Sequence, residues 1–209
     1  MQLDMAVADV KIVKGESFVI STDNIDTEIT KNGSVVKVSE KKRLGVFNTD
    51  RTVQISIPET LVFDSVSINA GAGEVYVALL NTKELNLNLG AGNIFIGSLN
   101  VSSRASVNAA AGELTVKNAE INNLNMDLAM GDVSVKGLLS GKTDINCGVG
   151  DVDLRLIGNE ADYSFEVDKG ISSVKLNGKE LPDDAVYGEG INRIEIDGGA
   201  GSIEIKTDN

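Results

Sequence analysis

Three carboxylates recur at intervals of 19 residues and could bind a cation if the chain brings them together. They are Glu113, Asp132 and Asp151, and each follows a glycine. Calcium takes carboxylate oxygens as ligands, so a stacked row of them is a calcium candidate. However, the GGxGxDx repeat typical of calcium-binding β-helices is missing, and neighbouring carboxylates repel each other. The pattern therefore favours a solvated acidic row, with calcium binding as the alternative.

An aromatic pair is the second feature with binding chemistry. Tyr76 and Phe95 are 19 residues apart, and each lies three residues after a glycine in a segment where inward and outward side chains alternate. Both belong to the outward set, so we expect them side by side on the surface. Cross-strand ring stacking is the simpler interpretation, and contact with a sugar or a partner protein is the alternative. Tyr76 and Phe95 are therefore the candidate binding residues.

The composition excludes several kinds of active site. The chain of 209 residues has no histidine, which removes Ser-His-Asp triads and imidazole metal sites. Its one cysteine, Cys147, occupies an inward position, so we predict a buried, unreactive thiol. We expect no cofactor and no catalytic residue. A carboxylate pair for glycoside hydrolysis stays open, because acidic residues are abundant, but long loops that would build a cleft are missing.

Charge and hydropathy limit the partners. The 31 acidic and 19 basic residues give a net charge of −12, and an acidic surface repels nucleic-acid phosphates and anionic lipids. The one basic cluster, Lys41-Lys42-Arg43, is interpreted as a solvated loop. The first residues lack the basic start and apolar core of a signal peptide, and no stretch approaches 18 apolar residues. We expect no nucleic-acid partner and no membrane insertion by this segment.

A repeat of 19 to 20 residues positions all of these side chains. In each repeat the positions −7, −5 and −3 before a glycine, given index 0, and the positions +2 and +4 after it are almost all apolar. The glycines are Gly73, Gly92, Gly112, Gly131, Gly150 and Gly201. A further apolar position at +7 is occupied by Leu80, Leu99, Ala119, Leu138 and Ile157. Alternation with period two predicts two short strands per repeat, with a positive-φ glycine at the bend between them.

The repeat predicts an all-β, single-domain β-solenoid (parallel β-helix) of about 19-20-residue coils with atypical capping ends. Equal indices should stack at about 4.8 Å, so that one inward column contains Val75, Ile94, Leu114, Val133 and Val152. The outward row at −4 is mostly asparagine and should form a hydrogen-bonded ladder. The single domain, residues 1–209, divides into irregular N-terminal coils with a hairpin (1–60), regular coils (61–176), and a loop and final coil (177–209).

The Gly-x-Gly repeats, preceded by Val53-Gln-Ile-Ser-Ile57-Pro58, carry a family resemblance. The pattern resembles the bacterial putative adhesin family of β-helix domains, which is catalogued as a domain of unknown function. The resemblance implies a β-helix and, often, anchorage at the cell envelope through segments outside this one. It transfers no catalytic or binding residue, because the family has no established site.

These features lead us to expect a non-enzymatic, cell-envelope or surface-associated interaction module. Its long faces suit shallow contacts with a protein or polysaccharide surface. The alternatives are an intracellular scaffold or regulator of an envelope-stress system, and a polysaccharide-acting β-helix enzyme. We expect an extracytoplasmic location if the segment belongs to a longer protein, and a cytoplasmic one if it is the complete chain.

Overall fold

The computed structural model describes residues 1–6, 9–23, 26–40, 52–168, 170–171, 173–182 and 185–208. The Lys41-Lys42-Arg43 cluster lies outside the described residues. Fourteen strands are present in the described part: β1 (Gln2–Met5), β2 (Asp9–Lys14), β3 (Val19–Thr22), β4 (Thr27–Asn32), β5 (Val35–Glu40), β6 (Thr52–Ile57), β7 (Val62–Val77), β8 (Leu80–Ile96), β9 (Leu99–Leu156), β10 (Tyr163–Asp168), β11 (Ser173–Leu176), β12 (Lys179–Glu180), β13 (Ala185–Tyr187) and β14 (Asn192–Thr207). The only helical turn among these residues is a 3₁₀ turn at Glu160–Asp162.

The long strands pair in parallel with equal indices aligned, as the repeat predicts. Val75 pairs with Ile94, which pairs with Leu114, and Val152 pairs with Ile203. All of these side chains are buried in one apolar cluster with the other inward residues. Each fully buried aliphatic side chain contributes about 1.5–3 kcal/mol, so the stack gains stability that one coil could not reach. The β-solenoid and the inward column are confirmed.

The bend at each index-0 glycine has no room for a side chain. The φ angles run from +120° at Gly73 to +149° at Gly150, a region that L-residues avoid. A methyl group at Gly112 would lie 1.7 Å from the carbonyl oxygen of Gly92, and one at Gly92 would lie 2.0 Å from that of Gly73. Each corner therefore rests directly on the backbone of the corner below it.

The spatial order of the coils departs from the chain order at both ends. At the N-terminal end, β1 pairs with both β7 and β5, and β2 pairs with both β7 and β6. At the C-terminal end, β14 pairs with β9 on one side and with β10 and β11 on the other. The first coil of the chain, formed by β1 and β2, therefore lies between β7 and an outer coil formed by β5 and β6. The last coil, β14, lies between β9 and an outer coil formed by β10 and β11.

Antiparallel strands cover both outer coils. At one end β3 pairs with β6 and β4 with β5, and at the other β12 pairs with β11 and β13 with β10. The predicted hairpin near Asn32-Gly33 is present, because Asn32 pairs with Val35 and Gly33 has a φ of +59°. The atypical ends thus cap the parallel stack and leave short, polar edge strands such as β4.

The apolar position at +7 is confirmed only in the first coils. Leu80, Leu99 and Ala119 are buried, whereas Leu139 is buried in place of Leu138, and Ile157 is 46% exposed. In the first coils the alternation is interrupted between +4 and +7, which turns +7 inward. After Gly131 the alternation continues without that interruption through Gly137, so the next inward residue falls at +8.

The corner contacts predict that Gly112→Ala is strongly destabilising. The substitution combines an unfavourable φ with a clash against backbone, so we expect a loss of more than about 3 kcal/mol in the free energy of unfolding or a failure to fold. Gly178→Ala is the matched control, since Gly178 has a φ of +79° but nothing within 4 Å of the added methyl; it should lose only about 1 kcal/mol. Urea denaturation of both variants is the measurement. Equal losses would contradict the stacked-corner explanation.

Candidate functional site

An open groove runs along the solenoid on one side of the glycine corners. Its volume is about 1040 Å³. Three rows line it, at indices −4, −3 and −2, on six coils from the one that contains Asp4 to the one that contains Asn146, and β5 borders the Asp4 end with Lys37, Ser39 and Glu40. At about 4.8 Å per coil, this corresponds to a length of about 24 Å. The rows −4, −3 and −2 are called the groove below.

The floor of the groove is apolar and its residues are small. At −3 the side chains of Ala70, Leu89 and Leu128 point into the core but keep an edge at the surface. At −2 the outward positions are occupied by Gly71, Gly90, Ala110 and Ala129. A methyl at Gly90 would lie 2.3 Å from the carbonyl oxygen of Gly71, which shows how closely the backbones stack here. A partner can therefore approach the backbone itself along this floor.

The row at −4 is a ladder of side-chain hydrogen bonds and forms one wall of the groove. Asn69 donates to Asp4 (2.7 Å), Asn88 to Asn69 (2.7 Å) and Asn108 to Asn88 (2.9 Å). Every bond points in the same direction along the axis, with an aspartate at its accepting end. The predicted asparagine ladder is confirmed for these residues.

The ladder is interrupted between Asn108 and Asp127. Asp127 starts a second series, because its carboxylate accepts from Asn146 (2.6 Å) and from Asn125 (2.9 Å). A carboxylate has no hydrogen to donate, so it cannot continue the series towards the Asn108 amide oxygen. Two acceptors therefore face each other on adjacent coils in the wall of the groove. A ligand with hydroxyl donors could bridge them.

One end of the groove holds charged residues that are mutually paired. Lys37 contacts Asp4 (2.9 Å), and the Ala6 backbone N–H donates to Glu40 (2.8 Å). Burial disfavours ionisation of Asp4, but hydrogen bonds from Lys37 and Asn69 outweigh it, and the pKa of Asp4 is lowered. Between Asp4 and Asp127 the groove rows contain no charged side chain.

Tyr76 and Phe95 lie together on the surface across the corner from the groove. Their rings are stacked, with centroids 5.5 Å apart and planes at 4°. Tyr76 is 42% and Phe95 37% exposed. A shallow hollow of about 240 Å³ beside them is also lined by Glu74, Asn93 and Glu113, among others. The predicted adjacency is observed, and a binding role for the pair stays a prediction.

The acidic row at +1 has a structural use at the corners. Asp132 accepts a hydrogen bond from the backbone N–H of Asp151 (3.1 Å), and Asp151 accepts from the backbone N–H (2.9 Å) and hydroxyl (2.7 Å) of Ser202. These bonds from Ser202 lower the pKa of Asp151. Glu113 has a longer side chain and instead accepts from Thr115. Short carboxylates at +1 therefore tie each corner to the next coil.

No group of three or more acidic or cysteine side chains in the described ranges is arranged to hold a metal ion. Asp132 and Asp151 are explained by their hydrogen bonds from backbone N–H groups, and Glu113 is bonded to Thr115. Calcium binding by this row stays a prediction.

Cys147 lies at −3 with its thiol directed to the core. It is buried, and burial, with smaller contributions from Asp132 and Asp151, raises the pKa of the thiol. A thiol with a raised pKa is a poor nucleophile at neutral pH. The predicted burial of Cys147 is confirmed, and its low reactivity stays a prediction.

The groove was missed by reasoning from the sequence, although a signal is present. Positions −3 to −1 contain no polar or charged residue in any of the six glycine-centred repeats, whereas −4 and +1 are polar. The inward role of −3 explains only one of these three rows. Position −2 points outward and is glycine or alanine in all six repeats, which indicates a strip of surface where no large side chain covers the backbone.

Comparisons with known proteins match the chain to one family model and to solved structures. The family model described as Toastrack DUF4097 matches residues 1–187. Among solved structures, a putative cell adhesion protein from Clostridium sporogenes is 20% identical, with a TM-score of 0.40, and the match covers 99% of this chain and 91% of that one. A putative adhesin from Bacteroides fragilis is 14% identical, with a TM-score of 0.34, 98% of this chain and 91% of that one being covered. No curated protein matches the sequence. The described residues contain no helix that is long and apolar enough to cross a membrane.

The ladder predicts that Asn88→Ala is destabilising. The change removes the bonds to Asn69 and Asn108 and leaves both partners less satisfied, so we expect a loss of about 1–3 kcal/mol in the free energy of unfolding. Asn100→Ala is the control, because the exposed Asn100 side chain has no ladder partner, and it should change stability by less than about 0.5 kcal/mol. Thermal unfolding measures both. The ladder would lose its structural role if the two variants melted alike.

The calcium alternative has a direct test. If Glu113, Asp132 and Asp151 bind calcium, the melting temperature in calcium should exceed that in chelator, because a ligand that binds only the folded state stabilises it. Asp132→Asn should abolish the difference. Identical melting curves for the unmodified protein would eliminate calcium binding by this row.

Proposed function

The chain belongs to the Toastrack DUF4097 family, and from this premise we propose that it is a non-enzymatic interaction module of the cell envelope or cell surface. Its groove holds an extended partner, which is a protein segment or a polysaccharide. The envelope location rests on the family resemblance, which implies attachment through segments outside this domain.

The observation that carries the proposal is the shape and repetition of the groove. Compact ligand sites enclose most of a small molecule and place a few different polar groups around it. Here an open trough repeats nearly the same three residues on successive coils: an amide, an apolar floor residue, and a glycine or alanine. A site with a repeated composition suits a long partner that contacts many coils weakly and equally.

The ionisable groups also favour binding over catalysis. A general acid at neutral pH needs a carboxyl with a raised pKa. Among the described residues, the carboxyl pKa values that shift are those of Asp4, Asp64, Asp144 and Asp151, and all are lowered. The one cysteine is buried, and the sequence contains no histidine. The salt-bridged Asp4 is therefore poorly suited to act as a general acid, and the buried thiol of Cys147 is poorly suited to act as a nucleophile beside the groove.

The aromatic pair supports a second contact surface. The stacked rings of Tyr76 and Phe95 are more than a third exposed on a surface that is otherwise poor in aromatic residues. Aromatic side chains contribute large apolar contact areas at interfaces. We place Tyr76 and Phe95 in a contact that is separate from the groove, since the glycine corners lie between them.

Retention of the purified protein by insoluble bacterial envelope material tests the proposal. Ala110→Gln combined with Ala129→Gln adds outward side chains to the groove floor, where both alanines are exposed, and should weaken retention at least about tenfold. Ser102→Gln is the matched control on another exposed part of β9 and should be retained like the unmodified protein. No retention of the unmodified protein, or equal retention of all three, would contradict the proposal.

The same assay separates the two surfaces. Tyr76→Ser combined with Phe95→Ser removes both exposed rings without entering the groove. If the pair is a second contact, this double variant should be retained more weakly, with the groove intact. Full retention would leave ring stacking between coils as the sole role of Tyr76 and Phe95. Release of soluble sugar products from the envelope material would instead contradict the non-enzymatic assignment.

A further inference from the structure

The groove has features that select among extended partners, and the inference drawn from them rests on the proposed function. We propose that its occupant is an uncharged, linear glycan that lies along the solenoid axis with about one sugar ring for each coil. Four observations carry this assignment: the spacing of the wall, its hydrogen-bonding groups, the apolar floor and the distribution of charge.

The spacing of the wall fits sugar rings better than amino acids. Successive coils present the ladder amides about 4.8 Å apart, whereas an extended peptide repeats its same-side groups about every 6.8 Å. A pyranose ring in an extended β-1,4-linked chain advances by nearly the distance between coils, and successive rings are turned over relative to each other. A glycan can therefore place one ring on each coil and repeat the same contact on every second coil, whereas the side chains of a peptide strand along the axis fall out of step with the coils.

The wall still has hydrogen-bonding capacity after the ladder is formed. Asn69, Asn108 and Asn146 each donate one amide hydrogen to the neighbouring ladder residue, and an amide has two. Asn88 donates its second hydrogen to Asn86. At the interruption, the Asn108 oxygen and the Asp127 carboxylate offer adjacent acceptors. Hydroxyl groups both donate and accept, so they match this mixture of free donors and acceptors.

The floor matches the apolar face of a sugar ring. Leu89, Ala109 and Leu128 expose small apolar surfaces, and the glycine or alanine at −2 leaves them uncovered. The C–H groups on one face of a pyranose can pack on such a surface while the ring hydroxyls reach the wall. The floor is flat along the axis because the backbones stack directly on each other.

The distribution of charge excludes ionic polymers as the preferred occupant. The protein carries a net charge of −12, which repels polyuronates, teichoic acids and nucleic acids. Within the groove rows Asp4 is already paired with Lys37, and Asp127 is the one charged side chain on the five coils that follow. A polycation would therefore find no row of charges to bind. The central groove is complementary to an uncharged chain.

Chemical treatment of the envelope material distinguishes a glycan from a protein partner. Material digested with protease should retain the unmodified chain, and material whose vicinal diols have been cleaved by periodate should lose it. Retention that disappears after protease and survives periodate would overturn the glycan assignment and leave the proposed function intact. A failure of the untreated material to retain the chain would instead count against the proposed function itself.

Defined oligosaccharides test the geometry. For uncharged, linear β-1,4-linked oligomers of glucose, N-acetylglucosamine, mannose and xylose, affinity for at least one series should rise with length to about six sugars and then level off, as the six coils require. Oligogalacturonate of equal length should bind at least about tenfold more weakly. Ala110→Gln and Asn108→Ala should weaken binding, and Ser102→Gln and Asn100→Ala should leave it unchanged. The assignment is overturned if none of the four series binds, if affinity is independent of length, or if oligogalacturonate binds equally well.

Discussion

The contact between stacked glycine corners constrains everything else in this molecule. At each corner the carbonyl oxygen of one glycine occupies the place where the next glycine would carry a Cβ atom. The backbone can turn there only with a positive φ, and only if successive corners are in register. A slip of one residue would bring a side chain into the corner and would also reverse the inward and outward faces of both strands. Register, core and surface rows are therefore fixed together.

Because the register is fixed, residues of the same type at one index lie over one another on successive coils, and their effects combine along the stack. An asparagine at −4 has little effect alone, but several in a column form a directional ladder. An aspartate at +1 ties its own corner to the next coil, and where glutamate occurs the side chain is directed elsewhere, as at Glu113. Alanine and glycine at −2 are unremarkable singly and together leave a groove. The candidate site is thus a property of the stack, since no single coil contains it.

The sequence was sufficient to predict the features that depend on one repeat or on two adjacent ones. The inward column from Val75 to Val152, the corner glycines, the asparagine ladder, the buried thiol of Cys147 and the adjacency of Tyr76 and Phe95 all follow from equal indices lying over one another. The position of β14 could not be predicted, because Ile194 and Phe165 belong to similar alternating patterns and either could pair next to β9. The groove was missed because alternation specifies which way a side chain points, whereas the groove arises from the small size of the outward residues at −2. The prediction that Leu138 points inward was wrong, because the inward-outward alternation is interrupted between +4 and +7 in the early coils but not after Gly131. No residue pattern in the sequence distinguishes these two cases.

The enclosure of both terminal coils has a mechanical consequence. A pull on either end of this domain is applied to a strand that is paired on both sides, β1 and β2 at one end and β14 at the other. To leave the stack, such a strand has to break hydrogen-bond ladders on both of its sides, whereas an outermost strand has to break a ladder on one side only. Both ends of the domain are therefore held more firmly than the ends of a solenoid whose first and last coils are also its outermost ones.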